Sequence, residues 1–354
     1  MHIAIVWASF AGLSAYLVIS KRLWLGHTFS IIDERDSFTY IPSLHETLLN
    51  TSHLKDIQFS LPKYYKDFVH AKVVDISDKK IITTDTGRHI YADYIVIATW
   101  SRTNMYNNQD FKKHCMTVRH PEDIWVINTK IKHASDICII WWWVTGVEIA
   151  SILAERTKKD QHIHLIHSRE KFFDKFHERV GIWTNKRMEK NNVHLYMWQK
   201  ADAVNEKEVT LTDGTKIAST CTILSSGIKT NDEAHTEQLT FANEVCTSGY
   251  CSTESKQIFV AGDVAIHGLY TTAHNAMLEW RRIWHYICDQ IQWVQKNYSP
   301  LQNRKEVAIA LGEHDGILTN NTTGFYFPYL TWLAKKIIEK RVMLEFKYKI
   351  MLPI

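Results

Sequence analysis

The sequence predicts an α/β protein of two Rossmann-like units, and three observations carry that expectation. Two segments about 135 residues apart each run strand, tight turn, helix, strand. Each unit is followed by a stretch, residues 71–99 and 201–227, that alternates apolar and polar residues around Asp and Gly turns, as an antiparallel meander does. Each turn also carries tryptophan where a tight strand-to-helix turn needs glycine.

The first unit opens with the apolar strand Ile3–Val6, continues as a helix over Ala11–Ser20 and returns as a strand over Thr28–Ile32 that ends in Asp33. In its turn a small residue is needed at Trp7 to make the bend, at Ser9 to let a pyrophosphate approach, and at Gly12 to pack helix on strand. Asp33, about 20 residues after Gly12, stands where a carboxylate accepts from a ribose hydroxyl. An exposed strand-end carboxylate is the plainer alternative. After the strand Asp93–Ile97 come Ala98, Thr99, Trp100 and Ser101, a tight turn if residue 100 were glycine. The second unit runs from the strand Ile137–Ile140 through Trp141, Trp142, Trp143, Thr145 and Gly146 into a helix over Val147–Glu155 and a strand over His162–Ile166. Only a bare backbone lets a phosphate reach such a turn and the helix N-terminus behind it, and three indoles cannot. Further on, a buried strand ends in Gly262 and Asp263, which complete a flavin pattern, and a helix follows over residues 272–292.

The thirteen Trp and thirteen Gly together make about 7% of the 354 residues, the glycine share of an average protein. We read the tryptophans as UGA codons that mean glycine in the source, as they do in some bacterial lineages. The alternative is a chain of genuine tryptophans whose nucleotide sites are filled.

Composition narrows the function. A net charge of +4, with no basic stretch interleaved with aromatics, argues against nucleic acid as a partner. No run of 18 apolar residues exists, and the apolar start is a strand rather than a leader, so a cytoplasmic location is expected. Six cysteines form no Cys-x-x-Cys and no metal-ligand spacing, so no metal is expected.

Taken together, VWASFAGL, IDERDSFTY, IVIATWS, IIWWWVTGVEIA, LIHS, ILSSGIKTN, VAGDVA and LGEHDGI…GFYF resemble the two-dinucleotide flavoprotein superfamily across nearly the whole chain. Within it the chain is most similar to type II NADH:quinone oxidoreductases and to the apoptosis-inducing-factor-like branch that includes ferroptosis suppressor protein. The resemblance implies a glutathione-reductase-like, three-layer ββα fold. An FAD domain would span residues 1–105 and 236–300, a NAD(P)H domain residues 106–235, and a C-terminal segment residues 301–354. It implies FAD contacts at Trp7, Ser9, Phe10, Ala11, Gly12, Asp33, Glu34, Arg35, Val73, Ala98, Thr99, Trp100, Gly262 and Asp263. Contacts to NADH or NADPH are implied at Trp141–Trp143, Thr145, Gly146, His167, Arg169 and Gly227.

The resemblance places Glu148 close to where nicotinamide and flavin meet. A first-turn helix carboxylate favoured by the dipole is the alternative. His167 stands where an acid would bind a 2′-hydroxyl, and Arg169 could pair with a 2′-phosphate or lie solvated. The disulfide reductases of the superfamily carry a redox cysteine pair that FTYIPSLHETLLN lacks, which argues against thiol–disulfide chemistry. The resemblance implies a quinone or another small molecule as the acceptor. The segment matching the quinone-facing helix offers His274, a proton donor, a quinone partner or a plain surface histidine. Phe325 to Ile338 with Lys335, Lys336, Lys340 and Arg341 make an amphipathic basic stretch for peripheral contact with the inner face of the cell membrane or for a homodimer. The rival activities are an NADH-sensing weak oxidase and, if the tryptophans are genuine, a non-catalytic scaffold.

Overall fold

The computed structural model describes every residue except 24–25, 78, 99–100, 142–143, 175, 230–250, 253–256, 261–276, 278–280, 282–283, 286, 290, 293, 295–305, 321 and 353–354. Two parallel sheets organise it. The first, in spatial order, is Cys251–Ser252, Ile258–Val260, Tyr94–Ile97, His2–Val6, Thr28–Asp33 and Phe68–His70, antiparallel only at its first pair. The second is Cys115–Met116, Cys221–Ser225, Asp136–Trp141, His162–His167 and His194–Met197, parallel throughout. This is the two-unit α/β architecture expected from the sequence. The central strands are continuous apolar runs because both sheet faces are covered: Ile3, Ala4, Ile5 and Val6 are inaccessible to solvent, as are Ile137, Cys138 and Ile139.

Each central strand turns into a helix, Phe10–Arg22 in the first unit and Val144–Arg156 in the second. The helices sit hard against the turns. A β-carbon on Gly12 would lie 2.0 Å from the Trp7 carbonyl oxygen. The expected meanders are present as Val73–Ile76, Ile81–Thr84 and His89–Tyr91, and as Ala201–Val204, Glu208–Leu211 and Lys216–Ala218. Arg102–Thr103 pairs antiparallel with Ile228–Lys229, so the chain leaves the first half and returns from the second through one short ribbon. Most of the helix expected over residues 272–292 lies outside the described residues.

The C-terminal segment is a three-stranded antiparallel sheet, Val307–Ala310, Gly316–Thr319 and Gly324–Tyr326, followed by a helix over Pro328–Tyr348. Val342, Met343 and Phe346 anchor that helix in the body. The Phe346 ring meets Phe38 edge-on at 5.2 Å, and its carbonyl accepts from the Tyr65 hydroxyl at 2.6 Å.

The helix is amphipathic, but two of its expected basic residues lie on its inner side. Lys335 and Lys336 point into the protein, onto Glu148 and Glu46, while Tyr329, Leu330, Leu333, Ile337 and Leu344 are exposed. Lysine normally stays in water, but a buried carboxylate left unpaired would cost more than the lysine's own desolvation.

Candidate functional site

The first turn has glycine's geometry with tryptophan's side chain. Trp7 has φ +86°, a left-handed conformation that L side chains avoid at a cost of roughly 1–2 kcal/mol. Its N–H donates to the Ile32 carbonyl at 2.8 Å, which ties the bend to the neighbouring strand. Ser9 caps the helix, accepting from the Gly12 N–H at 3.3 Å. Asp33, buried at the end of its strand, accepts from Ala8 N–H at 2.8 Å and Arg35 N–H at 2.9 Å. Burial pushes the Asp33 carboxyl up to about 6, against the pull of those two donors.

These residues test whether an FAD fits. The close helix approach at Gly12, the left-handed bend and a buried acceptor awaiting further donors all fit a dinucleotide. The side chain of residue 7 is the one departure. Around them, Phe10 and Ala11 are buried, with the Phe10 ring edge-on to Phe38 at 5.1 Å and Tyr40 at 5.4 Å. Ala98 N–H donates to Val6 O at 2.9 Å, and Val73 is buried at the start of its meander. Glu34 is exposed and Arg35 pairs with Glu122 at 3.2 Å. Thr99, Trp100, Trp142, Trp143, Gly262, Asp263 and His274 lie outside the described residues.

Asp33 gives a test with a sign. A carboxyl raised above its ordinary 3.8 favours folding only while protonated, so that stabilisation is complete below 3.8 and lost as pH rises through about 6. Asp33→Asn is therefore expected to stabilise the flavin-free protein at pH 7.5 by about 1–2 kcal/mol, after allowance for one lost acceptor. The difference from wild type in denaturant midpoint should close as pH falls toward 4. A variant less stable than wild type at pH 7.5 would contradict this.

In the second unit the sequence places Trp141 in the turn, but it is the last residue of the strand Asp136–Trp141. Its indole is buried against His167, Phe172 and Phe173, with ring centroids at 3.9, 5.2 and 5.5 Å. The indole N–H is buried without a hydrogen-bond partner among the described residues, a loss of about 1–3 kcal/mol. A β-carbon on Gly146 would fall 1.9 Å from the same ring. The ring thus occupies the space that glycine at position 141 would leave beside Gly146. Thr145 is exposed. His167 Nδ1 lies 3.3 Å from the Trp141 carbonyl oxygen, and burial lowers its pKa, so the ring is neutral at pH 7. Arg169, at the cleft beyond the strand, pairs with Asp174 at 2.6 Å. Gly227, φ +90°, accepts from Asn104 N–H at 3.0 Å where the ribbon between the halves begins. Trp198, on the next loop, is 71% exposed and also left-handed, with φ +62°.

A largely buried charge network ties the helix Val144–Arg156 to the segment Ile41–Thr47 and to the C-terminal helix. Glu148 Oε1 accepts from Lys335 Nζ at 2.6 Å and from the Ala310 N–H at 3.0 Å, and Oε2 stands 3.8 Å from His45 Nδ1. Burial opposes ionisation of Glu148, but the Lys335 ammonium and the hydrogen bonds from Lys335 and the Ala310 N–H outweigh it and hold the carboxyl below its usual value. Lys336 bridges Glu46 at 2.5 Å and Glu339 at 3.0 Å. Glu46 and Glu339 raise the Lys336 ammonium against the effect of burial. His45 is fully enclosed, burial keeps it neutral, and its Nε2 has no partner among the described residues. Tyr40, near Glu339, Glu46 and Glu148, is raised chiefly by burial.

Of this network the sequence singled out Glu148 for the site. Lys335 and Lys336 read as part of a basic stretch for a membrane surface, because periodicity cannot say which face of a terminal helix turns inward. His45 and Glu46, in a 3₁₀ segment, Ile41–Thr47, carry no periodic signal at all.

The chain matches the pyridine nucleotide-disulphide oxidoreductase family over residues 1–279. A search of curated proteins returns no match. Among solved structures it is similar to the sulfide:quinone oxidoreductase of Aquifex aeolicus, at 15% identity and TM-score 0.82 over 99% of this chain and 92% of that one. It is similar also to NDH2 of Plasmodium falciparum in complex with NADH, at 14% identity and TM-score 0.81 over 98% and 97%. A ferredoxin reductase of Rhodopseudomonas palustris follows, at 15% identity and TM-score 0.76 over 90% and 81%. At these identities the likeness is one of fold. With two strand–turn–helix units on two parallel sheets and a family match over most of its length, the chain belongs to the pyridine nucleotide-disulphide oxidoreductase family.

Proposed function

We propose that this protein is a flavin-dependent oxidoreductase that takes electrons from NAD(P)H and delivers them to a quinone-type acceptor. The Glu148–Lys335 pair carries the reading. It joins the second nucleotide helix to the C-terminal helix at the place where, by the family resemblance, nicotinamide and flavin meet. FAD would be held by residues 7–12 and Asp33, and when bound it supplies two-electron transfer between nucleotide and acceptor.

The chain's own residues hold the charges. Lys335 Nζ, fixed by Glu148 Oε1, is a half-buried positive charge, which stabilises a neighbouring group that gains electrons. His45 Nε2 is the open polar position of the network, and we assign proton handling for the acceptor to it. Acids outnumber lysines in this network, Glu46, Glu148 and Glu339 against Lys335 and Lys336, so it can accept a proton without acquiring net positive charge.

Supply of a lipid-soluble acceptor fits the exposed apolar face of the C-terminal helix, and we propose peripheral membrane contact there. No helix among the described residues is long and apolar enough to cross a membrane. The test is steady-state oxidation of NADH and NADPH by the chain carrying glycine at its turn tryptophans, with a short-chain quinone and with oxygen alone. Quinone turnover of about 10 per second or more, well above the oxygen rate, is expected. Slow turnover unaffected by quinone would favour the nucleotide-sensing weak oxidase.

A further inference from the structure

We infer that the second nucleotide site selects NADPH over NADH, an inference that rests on reading the half around Val144–Arg156 as the nicotinamide-nucleotide site. The chain contains its own comparison. In the first unit the second strand ends in Asp33, a buried carboxylate tied to the turn through Ala8 N–H. A carboxylate there accepts from a ribose 2′-hydroxyl and repels a 2′-phosphate. In the second unit the equivalent strand ends in His167, a ring without charge that faces the Trp141 carbonyl.

Beyond His167 opens a cleft of about 440 Å³ lined by Ser168, Arg169, Lys171 and Lys200 together with Glu170 and Asp174. Three cations and a hydroxyl thus face two carboxylates. The loop that presents them is fixed, because Gln199 N–H donates to His167 O and Trp198 N–H to Arg169 O, each at 3.0 Å. Arg169 is held by Asp174 at 2.6 Å, with the two side chains 47% and 42% exposed. So exposed a pair contributes little, and a dianionic phosphate, which accepts two parallel N–H bonds from a guanidinium, can displace the carboxylate at small cost.

The probes are adenosine 2′,5′-bisphosphate and adenosine 5′-monophosphate, which differ only by the 2′-phosphate. Their binding is measured calorimetrically on the full chain carrying Trp141→Gly, Trp142→Gly and Trp143→Gly. The bisphosphate is expected to bind at least about tenfold more tightly, and the margin to shrink as salt is raised. Arg169→Gln should bring the ratio close to one, and Ser168→Asp, which returns a carboxylate beside the strand end, should invert it. The NADPH to NADH ratio of kcat/KM should move in the same order. Equal affinities in the parent, or a ratio unmoved by Arg169→Gln, would overturn the inference while leaving the nucleotide site standing. Failure of both probes to bind would overturn the site and the inference with it.

Discussion

Glu148→Ala is expected to destabilise the protein by about 3–5 kcal/mol and to lower quinone turnover by about 10²-fold or more. The stability loss follows from leaving the Lys335 ammonium, 12% exposed, without the carboxylate that now receives it at 2.6 Å. The Ala310 N–H would also lose its acceptor. Because surrounding charge holds Glu148 below the usual carboxylate value, its stabilisation is present at neutral pH and is lost as pH falls through the folded-state value.

Structure and chemistry separate in a second variant. Glu148→Leu combined with Lys335→Met replaces the pair by apolar side chains, and buried pairs replaced together often cost nothing. Stability, read as a denaturant midpoint, should recover much of the loss, short of wild type by the Ala310 N–H left without its acceptor, while turnover stays low. Recovery of both would reduce the pair to a structural tie.

Replacing tryptophan by glycine at the left-handed positions is expected to stabilise the protein, which is the reverse of the usual sign. Glycine ordinarily costs about 0.5–1 kcal/mol through unfolded-chain entropy. At Trp7 (φ +86°) and Trp198 (φ +62°) the relief of a left-handed side chain is about 1–2 kcal/mol. Trp198→Gly is the cleaner case, since a residue 71% exposed gives up little buried surface. A higher thermal midpoint for Trp198→Gly is the expected result, and a lower one would favour genuine tryptophan. We propose that these residues are glycine in the source, and UGG codons at Trp7 and Trp141–Trp143 would contradict that.

The sheets were legible in the sequence because strand signals are local. Runs such as Ile3–Val6 and Ile137–Ile140 bury both faces, and nothing in the tertiary structure overrides them. The tryptophans did not obscure the fold, since the misfit at residues 7 and 141 is absorbed at the turn and strand end while the strand registers continue. The charge network was not legible. The family resemblance singled out Glu148, but the rest of the network arrives from residues 45–46 and 335–339, and only the folded chain brings them together. For the same reason Lys335 and Lys336 read as part of a basic membrane-facing stretch, when they pair with Glu148 and Glu46 inside the fold.

Anaerobic titration of the purified chain, with glycine at every tryptophan position, follows electrons from nucleotide through flavin to acceptor. The expected result is a yellow protein with about one flavin per chain, whose absorbance is bleached by NADPH and restored by a short-chain quinone. The same chain with tryptophan at residues 7 and 141–143 should be colourless. A glycine chain that folds but binds no flavin, or whose flavin NADPH cannot reduce, would contradict it.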